Sequence, residues 1–190
     1  MKKPLSFAIR GAVGFGLAIF FKDVGYVMAA FGAAAISIGV YCLGFMSAAA
    51  VLFYGTSHWK RATLGFALTY VIITTAAKQI AIEFLPSGNG VLSLAADLLF
   101  TLFIFAIIGG VGCCWKSVDL ALPGAVAFAL PTLFFGLFVR MAPPWVFDHS
   151  ALIFSGALLG FFVGRSEARA CPASAPARTQ ETVITITPRC

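Results

Sequence analysis

Long apolar runs separated by short polar breaks set the pattern of this chain. Residues 5–21 are apolar apart from Arg10 and stop at Lys22 and Asp23; residues 26–54 run apolar to a polar segment at 55–61. Further runs cover 62–85 and 91–114, divided by a Pro-Ser-Gly-Asn-Gly stretch at 86–90 that is a strong turn signal. A fifth run begins near Asp119, and a sixth covers 146–164. A helix needs roughly 20 apolar residues to cross the hydrocarbon layer, so the pattern predicts six crossings. In the fifth helix Pro123 is tolerable in the first turn, whereas Pro131 falls mid-helix, where it removes a donor and frees the carbonyl of Ala127, predicting a kink. Positive charge followed by an apolar core also describes a signal peptide. No small-residue cleavage site follows the first run, so it is read as a retained helix.

Past Arg165 the pattern is lost. Residues 165–190 are small, polar and proline-bearing, a composition that cannot bury a core. The chain is therefore read as an all-α integral membrane protein: a bundle of six transmembrane helices over 1–164, then a disordered cytoplasmic tail over 165–190. Orientation follows from the basic residues. With six crossings and the N-terminus inside, Lys2, Lys3, Lys60, Arg61, Lys116, Arg165, Arg169, Arg178 and Arg189 are cytoplasmic, against Lys22 and Arg140 outside. That asymmetry is the positive-inside rule. Trp59, Trp115 and Trp145 fall at the expected membrane edges. Both termini are placed in the cytoplasm, and the membrane is read as the plasma (inner) membrane.

Composition agrees. The 190 residues are 61% hydrophobic and 11% charged, against about half and about a quarter in soluble domains, and the mean hydropathy is +0.98. The net charge of +6 does not point to nucleic acid, because the basic residues punctuate apolar runs and form no solvated face for phosphates. The obligatory partner is the lipid bilayer.

Two features stand out within the helices. Gly156, Gly160 and Gly164 recur every fourth residue in the last helix, which lets another backbone approach closely where lipid supplies no hydrophobic drive. Ala8, Ala12 and Gly16 form a weaker row in the first. The glycine row is read either as packing within the chain or as an interface with a membrane-protein partner or a second copy. In the third helix Tyr70, Thr74 and Lys78 are spaced by four, as are Thr75, Gln79 and Glu83. Lipid tolerates such a stripe poorly, so it should face the bundle or a wet cavity. Across the turn, Asp97 returns at nearly the depth of Lys78, so the two are expected to pair. Tyr70, Thr74, Lys78, Gln79, Glu83 and Asp97 are thus read either as an ion pair with polar neighbours or as a substrate or ion site.

Enzyme chemistry is not written in the chain. No nucleophile is matched to an intramembrane histidine, and no metal-ligand spacing is present; Cys113 and Cys114 are adjacent, and His58 and His149 lie on opposite sides of the expected membrane. No catalytic residue, metal or cofactor is expected. Residues 11–17 and 124–130 agree at five of seven positions, a likeness that composition alone can produce. In length, six-helix topology and the small-residue row of helix 1, the chain resembles the substrate-binding membrane subunits of energy-coupling-factor vitamin transporters. The polar stripe with Asp97 leads to the reading of a small transporter, or the substrate-binding subunit of one, with an outward-facing polar site between helices 3 and 4, and the resemblance in size and topology adds to it. The alternative is a non-catalytic accessory subunit packing against a larger membrane complex through its glycine-rich helices.

Overall fold

The computed structural model of the protein describes residues 2–84, 91–138 and 144–170, with side chains undescribed at 2, 34–35, 78–79, 81–84, 91–94, 138 and 144–148. Among the described residues the regular structure is entirely helical. The helices are α1 (Lys2–Ala30), α2 (Ala34–Phe53), α3 (Trp59–Phe84), α4 (Val91–Cys114), α5 (Ala121–Phe138) and α6 (Pro144–Ala170), with a short 3-10 turn at Val118–Leu120 leading into α5. Five are long and apolar enough to cross a membrane: α1, α2, α4, α6, and α5 with its leading turn. In α3 the side chains at 78–79 and 81–84 are outside the described residues, and the described part alone does not reach that standard. Helices satisfy their own backbone hydrogen bonds, which is what a lipid interior demands.

Two boundaries differ from expectation. The first break was expected at Lys22 and Asp23, but α1 continues to Ala30. Neither residue breaks a helix. The chain turns at Gly32, which has φ +80°, with Gly32 N–H donating to the Ala29 carbonyl and Ala33 N–H to the Met28 carbonyl, both at 3.0 Å. That is a Schellman termination, whose left-handed residue suits glycine. At the other end α6 runs through Arg165 to Ala170, six residues into the expected tail. Glu167 explains the extension: its carboxylate is tied to the Lys116 ammonium. Residues 171–190 lie outside the described residues.

Each helix packs against the next in sequence, and α6 returns to α1, closing a ring. Phenylalanines fill its middle. Phe15 of α1 meets the rings of Phe45 (6.5 Å), Phe66 (6.1 Å) and Phe128 (5.6 Å), from α2, α3 and α5. All four are buried. The two similar heptapeptides place equivalent residues in that contact: Phe15 and Phe128 touch, while Gly11 abuts Gly156 and Gly124 abuts Gly109. α5 passes through Pro131 unbroken, and the Thr132 hydroxyl donates to the Phe128 carbonyl at 2.8 Å.

The outside is the inverse of a soluble protein. Along α1, Leu5, Ile9, Val13 and Phe20 are exposed, and α3 exposes Leu64, Leu68 and Ile72. Apolar exposure on this scale would drive aggregation in water and is the expected surface in lipid. The chain is accordingly read as a helical membrane protein.

The glycine row of α6 lies against α1 of the same chain. A Cβ at Gly156 would lie 2.6 Å from the Phe15 ring, one at Gly160 would overlap the Phe7 carbonyl oxygen, and one at Gly164 would lie 2.8 Å from the Cα of Pro4. The matching face of α1 is therefore Pro4, Phe7, Gly11 and Phe15. The expected row of Ala8, Ala12 and Gly16 is set off from it: Ala8 only grazes Gly160, and nothing lies within 4 Å of a Cβ at Gly16.

Candidate functional site

Basic residues collect at one end of the ring. The start of α1, the α2–α3 turn, the end of α4 and the end of α6 bring Lys3, Lys60, Arg61, Lys116, Arg165 and Arg169 to this end. Here Trp115 fits the notch left by Gly65, donates its indole N–H to the Thr69 hydroxyl at 3.1 Å, and carries the Arg61 guanidinium at 5.9 Å from its ring. Lys116 and Glu167 form their ion pair beside it, with side chains 4% and 20% exposed.

The other end is built differently. From the central phenylalanines, the rows of three helices change character together toward this end, and become half-buried, with Tyr26 exposed at the rim. On α1 the row runs from Phe15 to Lys22 and Tyr26, on α2 from Phe45 to Tyr41, and on α3 from Phe66 to Tyr70 and Thr74. These are steps of four, seven, eight or eleven residues, so each pair shares a helix face. α2 runs antiparallel to its neighbours, and its polar residue accordingly precedes the phenylalanine. The result is a cleft of about 260 Å³ between α1, α2 and α3. Its floor is the Phe45–Tyr70 stack, with centroids 3.4 Å apart. Tyr26 meets Tyr41 edge-on at 5.7 Å, and the Lys22 ammonium lies 5.8 Å from the Tyr26 ring.

Thr74 and Thr75 complete the α3 wall. Their hydroxyls donate back along the helix, Thr74 to the Tyr70 carbonyl at 2.6 Å and Thr75 to the Val71 carbonyl at 2.7 Å, which leaves their oxygens as acceptors toward the cleft. Close by, Asp23 of α1 and His149 of α6 approach at 3.3 Å.

Of the residues expected to form a site, Tyr70 and Thr74 therefore sit together, and the described part of the α3 stripe meets α1 and α2. Asp97 is exposed on α4. The side chains of Lys78, Gln79 and Glu83 lie outside the described residues, and with them the expected Lys78–Asp97 pair. Sequence reading passed over Lys22, Tyr26 and Tyr41. The signal was present, since each stands a whole number of turns from a core phenylalanine, but it needs the core to be known first. Among the described residues no cluster of histidine, cysteine and carboxylate could hold a metal. Cys42 lines the cleft as a free thiol.

Comparison with protein-family profiles, curated proteins and solved structures finds no match to this chain.

Proposed function

We propose that the chain is a small membrane transporter, or the solute-binding subunit of one, whose site is the cleft between α1, α2 and α3. The observation that supports this reading is that three helix rows starting from buried phenylalanines pass together to lysine, tyrosine and threonine around one cleft. A membrane bundle needing only to pack would continue its apolar core, since polar groups away from water cost free energy unless they are satisfied. One ammonium, three phenol rings and two threonine oxygens suit a small solute with an anionic group and a planar body. The volume, just below that of drug-sized pockets, fits a single ring with a substituent.

On this reading α3 is the sixth crossing, the basic end faces the cytoplasm with both termini, and the cleft opens outward across the plasma membrane. Cysteine labelling tests the orientation. In a cysteine-free background, Phe31→Cys in the α1–α2 turn is expected to react with an impermeant thiol reagent added to intact cells. Ser57→Cys in the α2–α3 turn should react only after permeabilisation. The reverse pattern inverts the orientation.

Binding tests the site. Purified protein should be stabilised thermally by benzoate or phenyl phosphate more than by benzyl alcohol. Lys22→Ala or Tyr70→Ala should weaken that binding roughly tenfold, the scale of one lost hydrogen bond to a charged group. Equal affinity in both variants, or no stabilisation of wild type by either anion, sinks the proposal. The accessory-subunit reading has weaker support, because the glycine row it would dock through is covered by α1.

A further inference from the structure

A second feature lies on the lipid-facing side of α1 and α2, near the basic end. Arg10 is exposed there, on the wall of a groove of about 420 Å³ otherwise lined by Ala50, Val51 and Tyr54. One guanidinium N–H donates to the Tyr54 carbonyl at 3.3 Å, just past the end of α2. The guanidinium carbon lies 5.1 Å from the Phe7 ring centroid. Guanidinium carries five N–H donors in one plane; a ring over its face leaves the edge for an acceptor. Among the described residues no carboxylate pairs with Arg10. The guanidinium therefore carries a charge that no carboxylate among the described residues balances, and a bound anion would balance it.

Its surroundings say which anion suits it. Tyr54 meets Trp59 edge-on at 5.5 Å, and the Lys60 ammonium lies 5.8 Å from the Trp59 ring. Tyrosine and tryptophan gather at the headgroup level of a bilayer, which places Arg10 at the depth of lipid phosphates. Ala50 and Val51 continue the groove one turn deeper along α2 as apolar wall. We propose that this groove is a binding site for a phospholipid with a net-negative headgroup. Its phosphate is held edge-on by Arg10, its charge is favoured by Lys60, and its acyl chain lies along Ala50 and Val51. A zwitterionic headgroup brings its own cation toward Arg10 and Lys60 and binds more weakly.

The test is competition between phosphatidylglycerol and phosphatidylcholine for full-length protein in micelles, read by native mass spectrometry. Wild type should retain phosphatidylglycerol preferentially. Arg10→Gln should lower that retention roughly tenfold, as expected for one charge-assisted contact, and abolish the preference. Ala50→Phe, which fills the groove with Arg10 intact, should also lower retention, and it decides the matter should Arg10→Gln not fold. An unchanged preference in a folded variant of either kind overturns the proposal, because Arg10 then only reaches up to water. Loss of the phosphatidylglycerol signal on adding millimolar inorganic phosphate overturns it too, since the site would then take a free anion.

Discussion

Gly160→Leu is expected to lower the detergent melting temperature by roughly 10 °C or to prevent folding. Any side chain at this position overlaps the Phe7 carbonyl oxygen and comes within 3.0 Å of the Ala8 Cα. Backbone cannot turn aside as a side chain can, so α1 and α6 must separate. Overpacking commonly costs about 1–3 kcal/mol, and backbone overlap belongs at or above the top of that range. For a chain of this size each kcal/mol moves the midpoint by about 2–4 °C. In lipid the lost contact is not recovered hydrophobically, because the tails are as apolar as the helices. Gly16→Ala is the matched control, as nothing lies within 4 Å of a Cβ there. Equal melting temperatures for Gly160→Leu and wild type would show that the α1–α6 contact is not as described.

Lys116→Ala is the second large effect, with an expected loss of about 3 kcal/mol. The Lys116 side chain is 4% exposed and that of Glu167 20%, so removing the ammonium leaves a carboxylate with little water. Breaking a buried pair on one side costs about 3–5 kcal/mol, whereas replacing both partners by apolar groups is often neutral. The partly wet Glu167 favours the lower end of that range. Lys116→Met with Glu167→Leu should therefore melt within a few degrees of wild type. Additive losses in the double variant would show that the two residues act separately. A second readout is local: in Lys116→Ala, backbone amides over 165–170 should exchange faster, because Glu167 fastens the last turns of α6.

These tests depend unequally on what the residues declare. The helices were legible, since long apolar runs have few alternatives in lipid. The end of α1 was not, because Lys22 and Asp23 look like a loop by charge, while the actual stop is set by backbone geometry at Gly32. The α6 glycine row was legible as a close-packing face. Its partner on α1 was not: several rows of one helix hold small residues, and only the crossing geometry selects Pro4, Phe7 and Gly11 over Ala12 and Gly16. The cleft was half legible. Tyr70 and Thr74 stand out in an apolar helix, whereas Tyr26 and Tyr41 look like ordinary membrane-edge aromatics until Phe15 and Phe45 are known to share a core. Glu167 was missed because its partner is 51 positions away and its neighbours read as tail.

Closure of the ring by α1 and α6 also has a consequence for synthesis. α1 is made before α6, and the face formed by Phe7 and Gly11 is completed only when Gly156 and Gly160 arrive. At roughly 5–20 residues per second, α1 waits roughly 7–30 s with a bare backbone groove in the bilayer. During that interval any small-faced helix nearby competes for it, so the insertion machinery must shelter α1 from foreign neighbours. Chains stopped after α5 should accumulate as quality-control substrates, with α1 still unpartnered.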